Sequence, residues 1–330
     1  MNPALPSLRS VFHLGVASLA LLTVDAAAKI TPSKDSPLVK VGEFHLKYAR
    51  QGAAVAVLGD CLYVFGGNAR GAVTNVERFN TRTAQLDQLS DQLLPRRYHS
   101  VLEHEGKFYL FGGEGYGLPG NPLEHAVEIY DPATDHVTHS TAMELPRSGM
   151  AAAKLGNKAY FCGGSKLKGH NRAQTNDTDI FDFATTQWST RLPMPTPRES
   201  KAVVVGDFLL VPGGNRNSIA TPNVEMFVPK ENVWKALPPL SRPTSAHSLV
   251  FLGDSLFLFG DYDDLDSIMT YNLRTRQSVK FNPGFKGARH TSAVVCGDRI
   301  YVIGGNLTTE SGDELDLIQV FAANPEYKAK

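Results

Sequence analysis

Six times along this chain an apolar run ends in glycine. The first glycines, Gly66, Gly112, Gly163, Gly213, Gly260 and Gly304, stand 46, 51, 50, 47 and 44 residues apart. In five copies a second glycine follows at once, and in the fifth copy Asp261 takes its place. After a variable loop each copy reaches an aromatic residue: Phe79, Tyr130, Phe181, Phe227, Tyr271 or Phe321. A period near fifty made of short strands specifies a radial array, because no single unit can bury its own faces.

The second copy shows how one unit is built. Residues 100–103 lead to a turn at Glu105-Gly106, which reverses the chain into the apolar run 108–111 and Gly112-Gly113. Residues 127–130 supply a third strand, Asp131-Pro132-Ala133-Thr134 a turn, and the region of Val137 a fourth strand. The glycine-ended runs, such as residues 62–65 and 256–259, do not alternate between apolar and polar. An unbroken apolar run in an antiparallel sheet implies burial on both faces, with a neighbouring sheet on either side. The first strands use small residues, as at Ala53-Ala54-Val55 and Ala151-Ala152-Ala153, which suits strands converging on one axis. Gly-Asp pairs at Gly59, Gly206, Gly253 and Gly297 suit two-residue hairpins with glycine first. Trp188 and Trp234, each seven residues after its aromatic, read as packing residues of the outer strand.

The double glycine, the spaced aromatic and Trp, and the Arg that opens the next unit resemble the kelch repeat. The resemblance covers residues 40 to 321 and departs from the pattern at Gly260-Asp261 and in keeping the outer Trp only twice. It implies an all-β fold, a six-bladed kelch-type β-propeller of four-stranded antiparallel blades. The chain ends indicate how it closes. The sixth unit stops near Phe321 without a fourth strand, and residues 39–44 precede Arg50 with no unit of their own. Lys40 precedes Arg50 by ten residues, the interval from Trp188 to Arg198. The N-terminal strand is therefore expected to complete the last blade, which removes exposed edges. The organisation expected is a signal peptide at 1–28, a linker at 29–37, the propeller at 38–325 and a tail at 326–330.

The leader rests on Arg9, the 14-residue apolar stretch 11–24 and the small residues Ala26-Ala27-Ala28. It implies a secreted or periplasmic protein, with no membrane association once it is cleaved. The 33 basic and 33 acidic side chains cancel, so nothing in the bulk charge invites nucleic acid. Three cysteines, Cys61, Cys162 and Cys296, are too few for a disulfide scaffold and fit no zinc pattern. Closure makes Cys61 and Cys296 neighbours, as two separate thiols or, in an oxidising compartment, as a disulfide. No cofactor and no metal are expected. The acidic loop with Asp261, Asp263 and Asp264 lacks the glycine and distal glutamate of an EF-hand.

Strand direction places the loops after each double glycine on the same face as the Arg-bearing entries to the first strands. Variable loops on a rigid scaffold are the usual place for a site. The ligand-binding candidates there are Arg50, Arg97, Arg147, Arg198, Arg242 and Arg289, with Tyr98, His99 and His247. A ring of guanidiniums would favour a carboxylate or other anion. The alternative is that these arginines brace neighbouring blades. Glu199 and His290, which do not repeat, are the candidate acid–base residues, and Tyr98 shares that irregularity.

No G-x-S-x-G, H-E-x-x-H or phosphate-cradling loop is present. The expectation is a monomeric, non-catalytic binding module for a glycan, an anionic small molecule or a protein partner. The competing reading is a carbohydrate isomerase. In architecture and compartment the chain is similar to bacterial periplasmic sialic-acid mutarotases. That resemblance would give Glu199 or His290 proton transfer and Arg198 a carboxylate clamp.

Overall fold

Apolar side chains on both faces of a strand can be buried only between two other sheets, and that is where the glycine-ended runs lie. The structure, a computed structural model, describes residues 34–327 except 91, 116–119, 121, 169–170 and 309–311. The expected leader at 1–28 lies outside the described residues, as do residues 29–33 of the linker and 328–330 of the tail.

Six four-stranded antiparallel sheets form the propeller. Blade 1 comprises Ala54–Leu58, Cys61–Phe65, Val76–Asn80 and Leu86–Gln88, innermost strand first. The same meander recurs around Lys107–Phe111, Lys158–Cys162, Phe208–Pro212 and Ser255–Phe259 as second strands of blades 2 to 5. Blade 6 takes Ser292–Cys296, Arg299–Ile303 and Leu317–Ala323 from the end of the repeats and Leu38–His45 from their start. The closure read from the ten-residue interval is the one observed. Lys40 pairs with Phe321 at the register where Trp188 pairs with Phe181 and Trp234 with Phe227. A bulge between Lys40 and Gly42 follows.

The second strands explain why the fold needs no single core. Leu62 and Val64 pack with Tyr301, Ile303 and Ile318 of blade 6, while Tyr63 and Phe65 pack with Phe108, Leu110 and Tyr130 of blade 2. Four more such seams of buried side chains complete the ring. Each fully buried Leu, Val or Phe in them stabilises by about 1.5–3 kcal/mol. Both tryptophans pack as expected. Trp188 lies against Phe111, Phe161 and Phe181, and the ring of Trp234 lies 5.0 Å from that of Phe227.

The double glycine is required by the neighbouring blade rather than by the turn itself. The N–H of the second glycine donates to a carbonyl at the entry of the next blade: Gly67 to Arg96, Gly113 to Arg147, Gly164 to Arg198, Gly214 to Thr244, and Gly305 to Arg50. A Cβ on Gly213 would come within 2.7 Å of the Thr244 carbonyl oxygen, at a φ of +62°. Only glycine admits that approach without displacing the neighbour. In blade 5 the Asp261 carboxylate does related work. It accepts the N–H of Ser245 at 2.8 Å and those of Asp263 and Asp264 at 3.0 and 3.2 Å.

Two of the variable loops are more ordered than the sequence suggests. Ser165–Lys168 pairs with Asn171–Gln174 in blade 3, and Asn215–Arg216 with Ile219–Ala220 in blade 4. At the seam, Cys61 and Cys296 are free thiols, and the Cys296 Sγ lies 3.7 Å from the Gly59 carbonyl oxygen of blade 1.

Candidate functional site

The arginine that opens each unit is placed by the strand after it and pinned by the glycines across from it. Arg50, Arg96, Arg147 and Arg198 are fully buried. Arg147 donates to the Gly163 and Asp177 carbonyls at 2.8 and 3.0 Å and to the Asp179 carboxylate at 2.6 Å. Arg198 does the same with the Gly213 and Val211 carbonyls and Glu225, Arg96 pairs with Glu128, and Arg50 pairs with Glu77. Burial pushes the carboxyls of Glu77, Glu128 and Asp179 up, and the paired arginine opposes it. The spacing puts Thr244 and Ala288 at this position in blades 5 and 6, so the expected ring of six guanidiniums has four. The acid disappears with the arginine. Met269 and Gln319 occupy the strand register held elsewhere by Glu77, Glu128, Asp179 and Glu225.

These facts relocate the sequence candidates. Arg50, Arg147 and Arg198 face the blade interior, so Arg198 does not present a carboxylate clamp to the loop face. The structural counterpart of these three in blade 2 is Arg96, and Arg97 stands one residue later, on the face. Arg289 is likewise one residue past its brace position. Arg242, two residues before its own, pairs with Asp264, which Lys280 shares.

The residues that follow the brace build the site. Two positions on, Gly52, Tyr98, Gly149, Ala246 and His290 all have positive φ, between +51° and +64°. Their backbones link blade to blade around the axis. Gly52 N donates to His290 O, Tyr98 N to Gly52 O, Gly149 N to Tyr98 O, and His290 N to Ala246 O. This belt holds Tyr98 and His290 in a conformation that costs an ordinary residue on the order of 1–3 kcal/mol. Their rings lie 5.1 Å apart, over Gly52.

Inside the belt opens a funnel of about 390 Å³, lined by Tyr98, Glu114, Arg172, Glu199, Lys201 and His290 among others. Burial governs its electrostatics. It raises the Tyr98 hydroxyl to about 12, and with Arg289 nearby it lowers His290 to about 3. His247 is lowered to about 3 and His99 well below its usual range, so all three imidazoles are neutral at pH 7. Burial also raises the Glu199 carboxyl, which accepts a hydrogen bond from Ser165 Oγ.

The carboxylate held between two arginines is Glu114, not Glu199. Arg97 Nε donates to one oxygen, and Arg172 Nη2 lies 2.8 Å from the other. Sequence reasoning missed Glu114, Arg172 and Lys201. Glu114 could have been found as the residue after a double glycine where Asn, Ser or Tyr stands in the other blades. Lys201 could have been found as a charge where the other blades carry Ala53, His99, Met150, His247 and Thr291.

On the loops that follow the glycine-ended strands, apolar side chains stand in water, and one of them, Tyr262, lines the funnel. Leu167, Ile219, Tyr262 and Leu307, from the loops of blades 3 to 6, are 52, 71, 44 and 37 % exposed. The Arg289 guanidinium stacks over Tyr262, 4.3 Å from the ring centroid. The charged loops between them satisfy themselves, Lys166 with Asp177 and Asp264 with Arg242 and Lys280. Among the described residues no group of three or more His, Cys, Asp or Glu side chains could hold a metal ion.

Comparison with known proteins agrees with the blades. The family profile described as the KLHDC2/KLHL20/DRC7 Kelch-repeats domain matches residues 52–261. Kelch repeat and BTB domain-containing protein 12 of Danio rerio is 27% identical over 216 residues, 58% of this chain and 35% of that protein. Kelch-like protein 25 of Xenopus tropicalis is 22% identical over 269 residues, 78% of this chain and 45% of that protein. Kelch-like protein terF of Aspergillus terreus is 24% identical over 303 residues, 84% of this chain and 66% of that protein. The chain thus spans less than half the length of the first two relatives. With six blades closed by the N-terminal strand and a profile match over most of them, the chain belongs to the kelch-repeat β-propeller family, in the group described as KLHDC2/KLHL20/DRC7.

Proposed function

We propose that this kelch propeller is a protein-binding module whose loop face receives a protruding segment of a partner. The observation that carries the reading is the set of exposed apolar side chains on the loop face, Leu167, Ile219, Tyr262 and Leu307, with Tyr262 lining the polar funnel. Four large apolar side chains exposed on the loops of one face, beside a polar concavity, are the arrangement of a docking surface, with apolar anchors on the loops and orienting polar groups within. The segment's apolar residues rest on these side chains, and a hydrogen-bond acceptor, such as a carboxylate, meets Arg172. An acidic ligand would meet Arg172 and Arg289 in place of the buried arginines. The reading includes export, which rests on the leader pattern of residues 1–28. Intact mass of the secreted product tests that part, because retention of residues 1–28 contradicts it.

A displayed random-peptide library tests the binding. Enriched sequences should combine apolar residues with an acidic one. Ile219→Asp and Arg172→Glu should each weaken binding about tenfold or more, the loss expected on removing a buried anchor. Peptides that bind both variants as well as the parent chain would refute the reading.

A further inference from the structure

The funnel does not end at the belt. Beneath it a second cavity of about 200 Å³ runs between the innermost strands, and the two share Ala53, Lys201 and Thr291 as lining residues. Lys201 therefore stands at the waist of a channel along the propeller axis. The six residues at its level, one per blade, are Ala53, His99, Met150, Lys201, His247 and Thr291, with no carboxylate among them. Among the described residues the Lys201 amine makes no hydrogen bond and no ion pair. His99 and His247 are 2 and 3 % exposed, and neither ring nitrogen of either has a hydrogen-bond partner. Glu199, two residues earlier, lines the same funnel.

An ammonium in that position is partly shielded from water and has no ion-pair partner. Burial drives its pKa down, and Glu199 alone opposes the shift. The titratable and charged groups that line the two cavities with it are His99, His247 and His290, all neutral at pH 7, Tyr98, the carboxyls of Glu114, Glu199 and Asp263, and Arg172. A lysine whose burial favours the free base, with room beside it for a small molecule, is a nucleophile toward carbonyl carbon.

We infer that Lys201 is a carbonyl-reactive amine that captures small aldehydes or ketones entering the loop-face funnel. In the step, the Nζ lone pair bonds to the carbonyl carbon and the C–O π pair moves to oxygen, which takes a proton as nitrogen gives one up. The resulting carbinolamine loses its hydroxyl as water while the nitrogen lone pair forms the C=N bond and the remaining N–H proton leaves. Amine plus carbonyl thus become imine plus water, with no oxidant or reductant needed. Glu199, whose carboxyl burial raises, lines the same funnel and is the group that gives and takes those protons. The capture is independent of partner binding, because a neutral aldehyde needs neither the exposed apolar side chains nor Arg172.

The test uses the full chain, propionaldehyde as the probe and cyanoborohydride to fix any imine as a secondary amine. Peptide mass spectrometry then gives a labelling rate for each lysine. At pH 7 Lys201 should be labelled at least about fivefold faster than exposed Lys230 and Lys235, as expected for an amine whose burial favours the free base. Its rate should level off at a lower pH than theirs. Lys201→Arg, which keeps the positive charge, should remove the fast phase from the intact-mass time course while circular dichroism shows the propeller intact. A Lys201 rate no greater than that of the exposed lysines overturns the inference. So does a fast phase that persists in Lys201→Arg.

Discussion

The brace between Arg147 and Asp179 should behave as an all-or-nothing pair, and blade 5 supplies the replacement that shows it. The Arg147 side chain is fully buried and that of Asp179 is 13 % exposed. Asp179→Met leaves a buried guanidinium bonded only to the Gly163 and Asp177 carbonyls. Arg147→Thr leaves a mostly buried carboxylate and deprives both carbonyls of their donor. Either single change should cost about 3–5 kcal/mol, the usual result of stranding one partner of a buried ion pair. Changing both reproduces Thr244 and Met269, the pair that blade 5 uses at the same register. No charge is then stranded, and the remaining cost is the space of the guanidinium and two weakened carbonyls, about 1–3 kcal/mol. The coupling energy should therefore be at least about 3 kcal/mol.

Urea denaturation of the four proteins at pH 7 measures it. Costs that add within about 0.5 kcal/mol would refute the idea that arginine and acid are kept or lost together for this reason. The same set carries a pH signature. Burial already raises the Asp179 carboxyl, and Arg147 is the largest influence holding it down. Without Arg147 the folded-state pKa rises further above its unfolded value, so the native state binds the extra proton between the two. Stability in that window increases as pH falls. The deficit of Arg147→Thr should thus be smaller at pH 5 than at pH 7.5.

Gly213→Ala should destabilise more than Gly206→Ala, although both glycines lie in blade 4 with φ near +60°. A Cβ at Gly206 meets nothing within 4 Å, whereas at Gly213 it meets the Thr244 carbonyl at 2.7 Å. The extra cost should be about 1–3 kcal/mol by chemical denaturation, from a displaced blade contact; equal costs would mean that the glycine serves only its own turn. On the loop face, Ile219→Asp should change the melting temperature by less than about 2 °C, since its side chain already sits in water, while lowering affinity for displayed peptides. A large thermal loss would place Ile219 in the fold rather than in an interface.

Much of the architecture was readable because it repeats. The interval from Lys40 to Arg50 gave the closing strand and its register, since strand pairing is fixed by counting residues from a shared landmark. The double-glycine period gave the blade number. The site was readable only in outline. Tyr98, Glu199 and His290 were singled out for breaking the repeat, and all three line the funnel. Arg97 was aligned one residue out of step because Arg96-Arg97 offers two arginines. Only the carbonyl of Gly112 accepting from Arg96 shows which one turns inward.

By itself, then, the sequence determined what depends on local order and period: strands, hairpins, six units, and a ring closed at both ends. Tertiary structure decided which charges meet. Glu114 reaches Arg172 across 58 residues of chain and Lys201 stands at the waist of the channel, and neither relation leaves a spacing to count. Burial and pairing arise between blades, so the chemistry of the axis belongs to the assembled ring and to no single repeat.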